Sequence, residues 1–296
     1  MNHKLSVVIP TKNRKDDLFE TLDSVLNQNL LPFEIIIVDQ SADRIDYTSI
    51  QGLANNKKID FKVIYDPQIK GLTQARNVGL DNMKGDIVLF LDDDLILEQD
   101  YIKNVLTTFS EPDYEEVAGV GGIVELPQKN RRFGFNHFFQ LGPFFDTREK
   151  IKYNPPGVYE SRYLSGGSMS LKKDDIKGFK FDENMIGYCH GEDMDFCYRL
   201  SQRKKLVINS RATCLHKKSF IGRYEGKRIT NDILFHYYFF RKTLPFTLSN
   251  LITYLWFNFG MLIRPITRLE LKIYKDIFKG YVKIGNFVFK KKLEWE

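Results

Sequence analysis

The sequence predicts an α/β fold, a mixed and mostly parallel sheet flanked by helices, followed by a helical extension. Three observations predict it. Short apolar runs alternate with helical patterns through the first hundred residues, the signature of βαβ units. One run, Ile87–Leu91, holds five apolar residues without a break, as a strand buried on both faces does. Beyond about Phe220 the chain turns helical, aromatic and basic.

Strand Leu5–Ile9 is followed by a turn at Pro10–Arg14 and a helix whose Leu18, Leu22, Val25 and Leu26 share one face. Strand Glu34–Val38, closed by Asp39, leads into a polar segment that reads equally as helix or loop. Strand Phe61–Tyr65 precedes the turn residues Asp66, Pro67 and Gly71. A helix from about Leu72 to Met83 precedes the strand Gly85–Leu91, and another helix begins near Glu98. Parallel sheets bind ligands at the C-terminal ends of their strands, so Pro10–Arg14, Asp39–Gln40 and Asp92–Asp94 are expected along one rim. Further on come a strand Val117–Leu126, a Phe-rich polar stretch (Phe133–Phe145), and a loop at Pro155-Pro156-Gly157. A glycine turn (Ser165–Leu171), a helix Glu192–Arg203 with acids at its N-terminal end, a strand Leu206–Asn209 and a segment Ala212–His216 complete the section. No repeat or low-complexity linker divides residues 1–222, which read as one mixed domain. Its halves are 1–100 and 101–222, and residues 223–296 form the extension.

The chain has 296 residues, 43% of them hydrophobic and 28% charged, as ordinary globular proteins have. Three cysteines are too few and too odd in number for a disulfide framework, and their spacing with His216 matches no usual zinc pattern. The N-terminus runs directly into a strand without the apolar region of a secretory signal, so a cytosolic location is expected. No GxGxxG follows the first strand and no GxxxxGK[ST] occurs, which excludes the common dinucleotide and P-loop motifs.

The apolar run Ile87–Leu91 breaks into Asp92-Asp93-Asp94 with no cation among them. Three adjacent carboxylates repel one another, and an unpaired buried charge costs several kcal/mol. Two readings are open on these residues alone: a cation site with its ligand, or an acidic loop in water that caps the following helix.

An ordered set of motifs decides between them. Ser6–Thr11 (SVVIPT), Ile36–Asp39 (IIVD), Ala75–Asn77 (ARN), Gly85-Asp86 with Asp92–Asp94, Gly166-Gly167, Gly191–Asp193 (GED) and Leu215-His216 occur in one order. Together they resemble the family 2 inverting glycosyltransferases with the GT-A fold, over roughly residues 4 to 219. The resemblance implies a nucleotide-diphosphate sugar donor carrying UDP, dTDP or GDP. Asp39 would accept an N–H from the base edge, since a carboxylate only accepts. Pro10, Thr11, Asn13 and Arg14 would line the same pocket, with Arg76 beside the diphosphate.

By the same resemblance Asp94 binds the metal directly, and Asp92 reaches ribose or metal. His216 matches the family's late metal-binding histidine. Carboxylate and phosphate oxygens select Mn²⁺ or Mg²⁺. Asp93 stands with the donor residues by position, but strand alternation is expected to turn it away as a spectator. Asp193 is the candidate general base for attack of the acceptor hydroxyl. Glu192 either repels Asp193 and raises its pKa or caps the helix. Gly166 and Gly167 are expected to let backbone approach the donor or acceptor sugar.

Residues 243–263 carry no charge, a length that spans a bilayer but with too many polar residues for a membrane helix. From Arg264 to Lys292 there are nine Lys/Arg against two Asp/Glu. Spaced at 100° per residue, Arg268, Lys272, Lys275, Lys279 and Lys283 fall on one side of a helix. Ile273, Ile277, Tyr281 and Ile284 fall opposite. This is the pattern of a helix lying on an anionic membrane, or of one packed on the catalytic domain with a solvated basic face. No nucleic-acid motif accompanies the charge. The expectation is a metal-dependent transferase at the inner face of the cell membrane, with contacts over residues 233–292. Its acceptor would be a lipid-linked or polysaccharide glycan, and homo-oligomerisation is left open. Two alternatives stand beside it: a sugar-nucleotide nucleotidyltransferase, although Pro10–Arg14 lacks that class's glycine-rich loop, and a non-catalytic nucleotide-sugar-binding protein.

Overall fold

The computed structural model describes residues 3–126, 138–146, 148–151, 154–186, 191–217, 225–268 and 271–290. Among the described residues nine strands form one sheet: β1 (Leu5–Thr11), β2 (Glu34–Asp39), β3 (Asp60–Tyr65), β4 (Ile87–Leu91), β5 (Leu95–Leu97), β6 (Val117–Glu125), β7 (Val158–Glu160), β8 (Ser168–Lys172) and β9 (Lys205–His216). Their order is β3-β2-β1-β4-β8-β6-β9-β5, with β7 on β9. The strands β3, β2, β1 and β4 run parallel, as their helical crossovers require. Strand β8 enters antiparallel between β4 and β6.

Helices α1 (Lys15–Leu26), α2 (Thr48–Asn56), α3 (Leu72–Asn82) and α4 (Tyr101–Ser110) cover the two faces. Strand alternation builds both cores. Val7 and Ile9 of β1, Ile35 and Ile37 of β2, and Leu89 and Leu91 of β4 meet Leu18, Leu22 and Val25 of α1 and Ile102 and Val105 of α4. Val8, Ile36, Val88 and Phe90 face the other way. There they meet α3 and the later helices α6 (Glu192–Ser201) and α7 (Glu225–Lys242).

One reading left open is settled, and two elements differ from theirs. The polar segment after Asp39 contains α2, held by Ile50 and Ala54. The glycine turn at Ser165 leads straight into β8, in the middle of the sheet. Leu206–Asn209 and Ala212–His216 are one strand, β9, whose pairing with β6 shifts register between Gly121 and Ile123.

The extension does not stand apart at residue 223. Phe235, Phe239, Phe240 and Leu244 share the core of Phe90, Phe181 and Phe196. Gly191, just before α6, has φ +102°, and a Cβ there would lie 2.5 Å from the Phe235 ring, so only glycine fits. Helices α8 (Leu248–Arg268) and α9 (Tyr274–Lys290) follow. The Ile273–Ile277–Tyr281–Ile284 stripe, expected against a membrane, packs on Ile229, Ile233, Phe257 and Met261 instead. Arg268 lies in α8, and its side chain is outside the described residues. Among the described residues no helix is long and apolar enough to cross a membrane.

Candidate active site

The rim at the C-terminal ends of β1, β2 and β4 is held together by hydrogen bonds between its loops. Gln40 N–H donates to the Thr11 carbonyl (2.9 Å), and Asn13 N–H donates to Ser41 Oγ (2.8 Å). Ala42 N–H donates to Asn13 Oδ1 (3.0 Å), with Asn13 in the left-handed region (φ 56°) that asparagine tolerates. Pro10 is a buried residue of β1 opposite Val38.

The three aspartates separate in direction. Asp93 turns inward, accepting from the Thr11 hydroxyl (2.7 Å) and from Arg14 (3.1 Å). It is therefore a tie between the β1 and β4 loops. Burial pushes its carboxyl up to about 6, against the downward pull of Arg14 and of the Thr11 hydrogen bond. Asp94 is fully buried, with Oδ1 3.1 Å from His216 Nε2 and Oδ2 3.9 Å from Arg14. The sheet arranges this meeting, because Leu95 pairs with His216 across β5 and β9. Asp92, with a third of its side chain exposed, points to Arg76 (3.2 Å).

Asp39 does not stand open to a base in this conformation. It is fully buried, accepting from Ser41 N–H (2.9 Å) and the Tyr47 hydroxyl (3.0 Å). Burial and the neighbouring Asp39 carboxylate push the Tyr47 hydroxyl pKa up.

Arg76 is buried, not solvated. It is 1% exposed, lies over the Phe181 ring at 5.3 Å, and forks between Asp92 and buried Glu192 (2.9 Å). Burial opposes its charge, but Glu192, Asp92 and Asp193 outweigh it and raise the pKa. Glu192 is thus paired with a cation.

Asp193 is held on three sides. Its Oδ2 accepts from Arg148 (2.9 Å) and from Gly166 N–H (3.1 Å), and its Oδ1 accepts from Met194 N–H (2.8 Å). Arg148 opens the short helix α5 (Arg148–Ile151) and is itself braced by Asp146 (2.7 Å). Asp146 and Asp193 raise the Arg148 pKa well above its ordinary value against the effect of burial, so it is a fixed cation. The sequence reading missed Arg148, Asp146 and Tyr47. No local motif marks them, and Arg148 follows a stretch read only as Phe-rich and polar.

Gly166 and Gly167 make room for this network. Because β8 runs antiparallel to β4, with Ser168 opposite Leu91, the two glycines arrive at Asp92. A Cβ on Gly167 would lie 2.4 Å from Asp92 Oδ2, and one on Gly166 would lie 2.9 Å from Arg76 and 3.0 Å from the Asp193 Cβ. The close approach expected of them is thus to the protein's own carboxylates and guanidinium.

The metal set of Asp92, Asp94 and His216 is not gathered as one cluster. Among the described residues no three His, Cys, Asp or Glu side chains stand close enough to hold an ion. Asp94 and His216 fit two places: their 3.1 Å separation is that of neighbouring ligands of an octahedral ion, roughly 3 Å. Cys189 lies outside the described residues. Cys197 and Cys214 are buried thiols whose pKa burial pushes up to about 12.

Carboxylates thus stand at the C-terminal end of β4, faced by an acid-headed helix across two glycines, the place where α/β sheets bind their ligands. The chain belongs to glycosyl transferase family 2, whose family model matches residues 6–171. It is 30% identical over 165 residues to the glycosyltransferase GlyA of Streptococcus pneumoniae, covering 55% of this chain and 22% of that protein. It is 28% identical over 207 residues to the amylovoran biosynthesis glycosyltransferase AmsB of Erwinia amylovora, covering 66% of this chain and 62% of AmsB. The chain therefore spans less than two thirds of the length of either relative. The mannosyltransferase PcManGT of Pyrobaculum calidifontis, solved with GDP-Man and Mn²⁺, has the same GT-A type of fold. Its TM-score is 0.63 at 15% identity, covering 96% of this chain and 87% of that one.

Proposed function

We propose that this chain transfers a sugar, with inversion, from a nucleotide-diphosphate donor to a lipid-linked or polysaccharide acceptor in surface-glycan synthesis at the cytoplasmic face of a membrane. One observation carries the reading. Residues about a hundred positions apart, Asp92 and Asp193, converge on the same pair of glycines, one carboxylate at the donor rim and one at the head of α6. Inverting transfer needs that pairing: a donor anchor and a single base on the acceptor side.

In this reading Asp193 takes the proton of the acceptor hydroxyl as its oxygen bonds to the anomeric carbon. The bond to the diphosphate breaks, and its electron pair leaves with the diphosphate. Arg148 and Gly166 N–H fix the direction in which the carboxylate points. Asp94 and His216 would hold Mn²⁺ or Mg²⁺, which would supply positive charge opposite the leaving diphosphate. Arg14 adds a fixed cation on the same rim, and Thr11, Asn13 and Asp93 hold its loops. Arg76 acts through Asp92 and Glu192 as a positioning residue. A relative named for amylovoran biosynthesis and a structural neighbour solved with GDP-Man and Mn²⁺ support the same class.

The test is a transfer assay over UDP-, GDP- and dTDP-sugars with Mn²⁺ and Mg²⁺, preceded by donor-dependent thermal stabilisation. Asp193→Asn is expected to keep donor binding and lose turnover by about two to four orders of magnitude. Near-normal turnover in that variant refutes the assignment.

A further inference from the structure

The two last helices expose a surface that the packed isoleucine stripe does not account for. On α8, Leu248, Ile252, Leu255, Phe259, Leu262 and Ile266 recur at spacings of four and three, and each is between 44% and 73% exposed. They occupy roughly 80° of the helix circumference and run about 27 Å along it. On α9, Phe278 (71%) and Val282 (44%) are exposed in the same way, with Leu271 just before the helix.

Helices α8 and α9 lie antiparallel and side by side. The Tyr274 hydroxyl donates to the Leu262 carbonyl (2.6 Å), and the Tyr281 hydroxyl, further along α9, donates to Asn258 Oδ1, earlier on α8 (2.7 Å). Both helices bury their inner faces on α7, through Phe257, Met261 and Ile277. Around each helix, in its own chain direction, the faces follow the same order: toward α7, toward the neighbour, then outward apolar. In an antiparallel pair those orders are mirror images, so both apolar faces open to the same side and form one surface two helices wide.

Beyond Phe278 and Val282 the circumference of α9 continues into Lys275, Lys279 and Lys283, roughly 60–140° around from Phe278. A lysine row thus borders one edge of the apolar surface. Along the other helix no charge occurs between residues 243 and 263. Phe246, at the start of that stretch, is 74% exposed.

We propose that this two-helix face seats the protein in the headgroup layer of an anionic membrane, with its apolar side chains inserted and the lysine row against lipid phosphates. It is a different surface from the Ile273–Ile284 stripe on the same helix. An apolar patch this long is uncommon on the exterior of a monomer. A flat apolar face with a cationic edge and aromatic rings is the composition that interfacial helices use. A second copy of the chain would answer to the four-three spacing of α8, a coiled-coil repeat. A seam along α8 alone, however, would leave Phe278 and Val282 of α9 uncovered.

The proposal is independent of the transfer reaction, so donor-dependent thermal stabilisation is expected to be unchanged in the variants and separates a failed surface from a failed fold. The full chain is floated with phosphatidylcholine vesicles and with vesicles containing phosphatidylglycerol, and its mass in solution is taken by light scattering. The wild type is expected to float with the anionic vesicles. Leu255→Glu/Phe259→Glu/Phe278→Glu is expected to lose at least about tenfold in recovery. Lys275→Glu/Lys279→Glu, which leaves the apolar face intact, is expected to lose roughly tenfold on anionic vesicles only. Recovery equal to wild type in both variants overturns the proposal. So does a wild-type dimer that the triple variant converts to monomer without any vesicle binding, a result that assigns the face to a second copy.

Discussion

Replacing Arg76 by methionine leaves an apolar side chain in the buried space and removes the guanidinium, which lies over Phe181 at 5.3 Å. Two carboxylates then lose their cation, in unequal settings. Glu192 is nearly buried, and a buried pair broken by loss of one partner costs about 3–5 kcal/mol, because the remaining charge stays desolvated. Asp92 has 34% of its side chain exposed, so its share is about 0–1 kcal/mol. At about 2–4 °C per kcal/mol for a domain of this order of size, a total of about 3–6 kcal/mol should lower the melting temperature by about 6–24 °C. Thermal and urea denaturation followed by circular dichroism measure it. Adding Glu192→Gln removes the stranded charge, so the double variant should recover more than half of the loss, a coupling that a double-mutant cycle isolates. Arg76→Lys should recover less, since a single ammonium does not span two carboxylates as the fork does. If Arg76→Met costs under about 1 kcal/mol, or the double variant is no more stable than the single, the ion-pair network is not what holds α6 against the rim.

Gly167→Ala should drive Asp92 away from its place, since the new Cβ would lie 2.4 Å from Oδ2. Calorimetric titration should show donor affinity falling at least about tenfold, with about 1–3 kcal/mol lost in stability. Chelation with EDTA should abolish transfer, and His216→Ala should weaken Mn²⁺ binding at least about tenfold with the fold intact by circular dichroism. Full Mn²⁺ affinity in that variant would remove His216 from the metal site. Tyr47→Phe should cost about 1–3 kcal/mol in urea denaturation, because it takes a hydrogen-bond donor from a fully buried Asp39 oxygen.

Elements with a clean period were legible in the sequence, and elements defined by their neighbours were not. The α1 face of Leu18, Leu22, Val25 and Leu26 emerged from spacing alone, and all four are buried. Strand β8 did not, because Ser168 and Ser170 alternate with Met169 and Leu171 behind two glycines and look like a turn. Only the sheet on both sides buries those serines. The aspartate triplet was readable as a site, but the direction of each carboxylate depends on partners far away: Thr11 and Arg14, His216, and Arg76. Asp39 could be seen to end a strand, whereas the tyrosine eight residues on that turns back into it could not. The faces of α9 followed from 100° arithmetic. Which face meets the protein depends on α7, whose position no periodicity encodes.

The fit of Phe235 against Gly191 bears on how this protein should be handled in the laboratory. The first turn of the helix that carries Asp193 rests on a ring contributed by α7, so a cut at the apparent end of the catalytic domain would leave that turn unsupported and uncover a phenylalanine-lined hollow. A shortened chain would then be both inactive and sticky, for reasons unrelated to membranes. The route to a well-behaved soluble enzyme is to recolour the outer faces of α8 and α9 residue by residue, leaving the helices themselves in place.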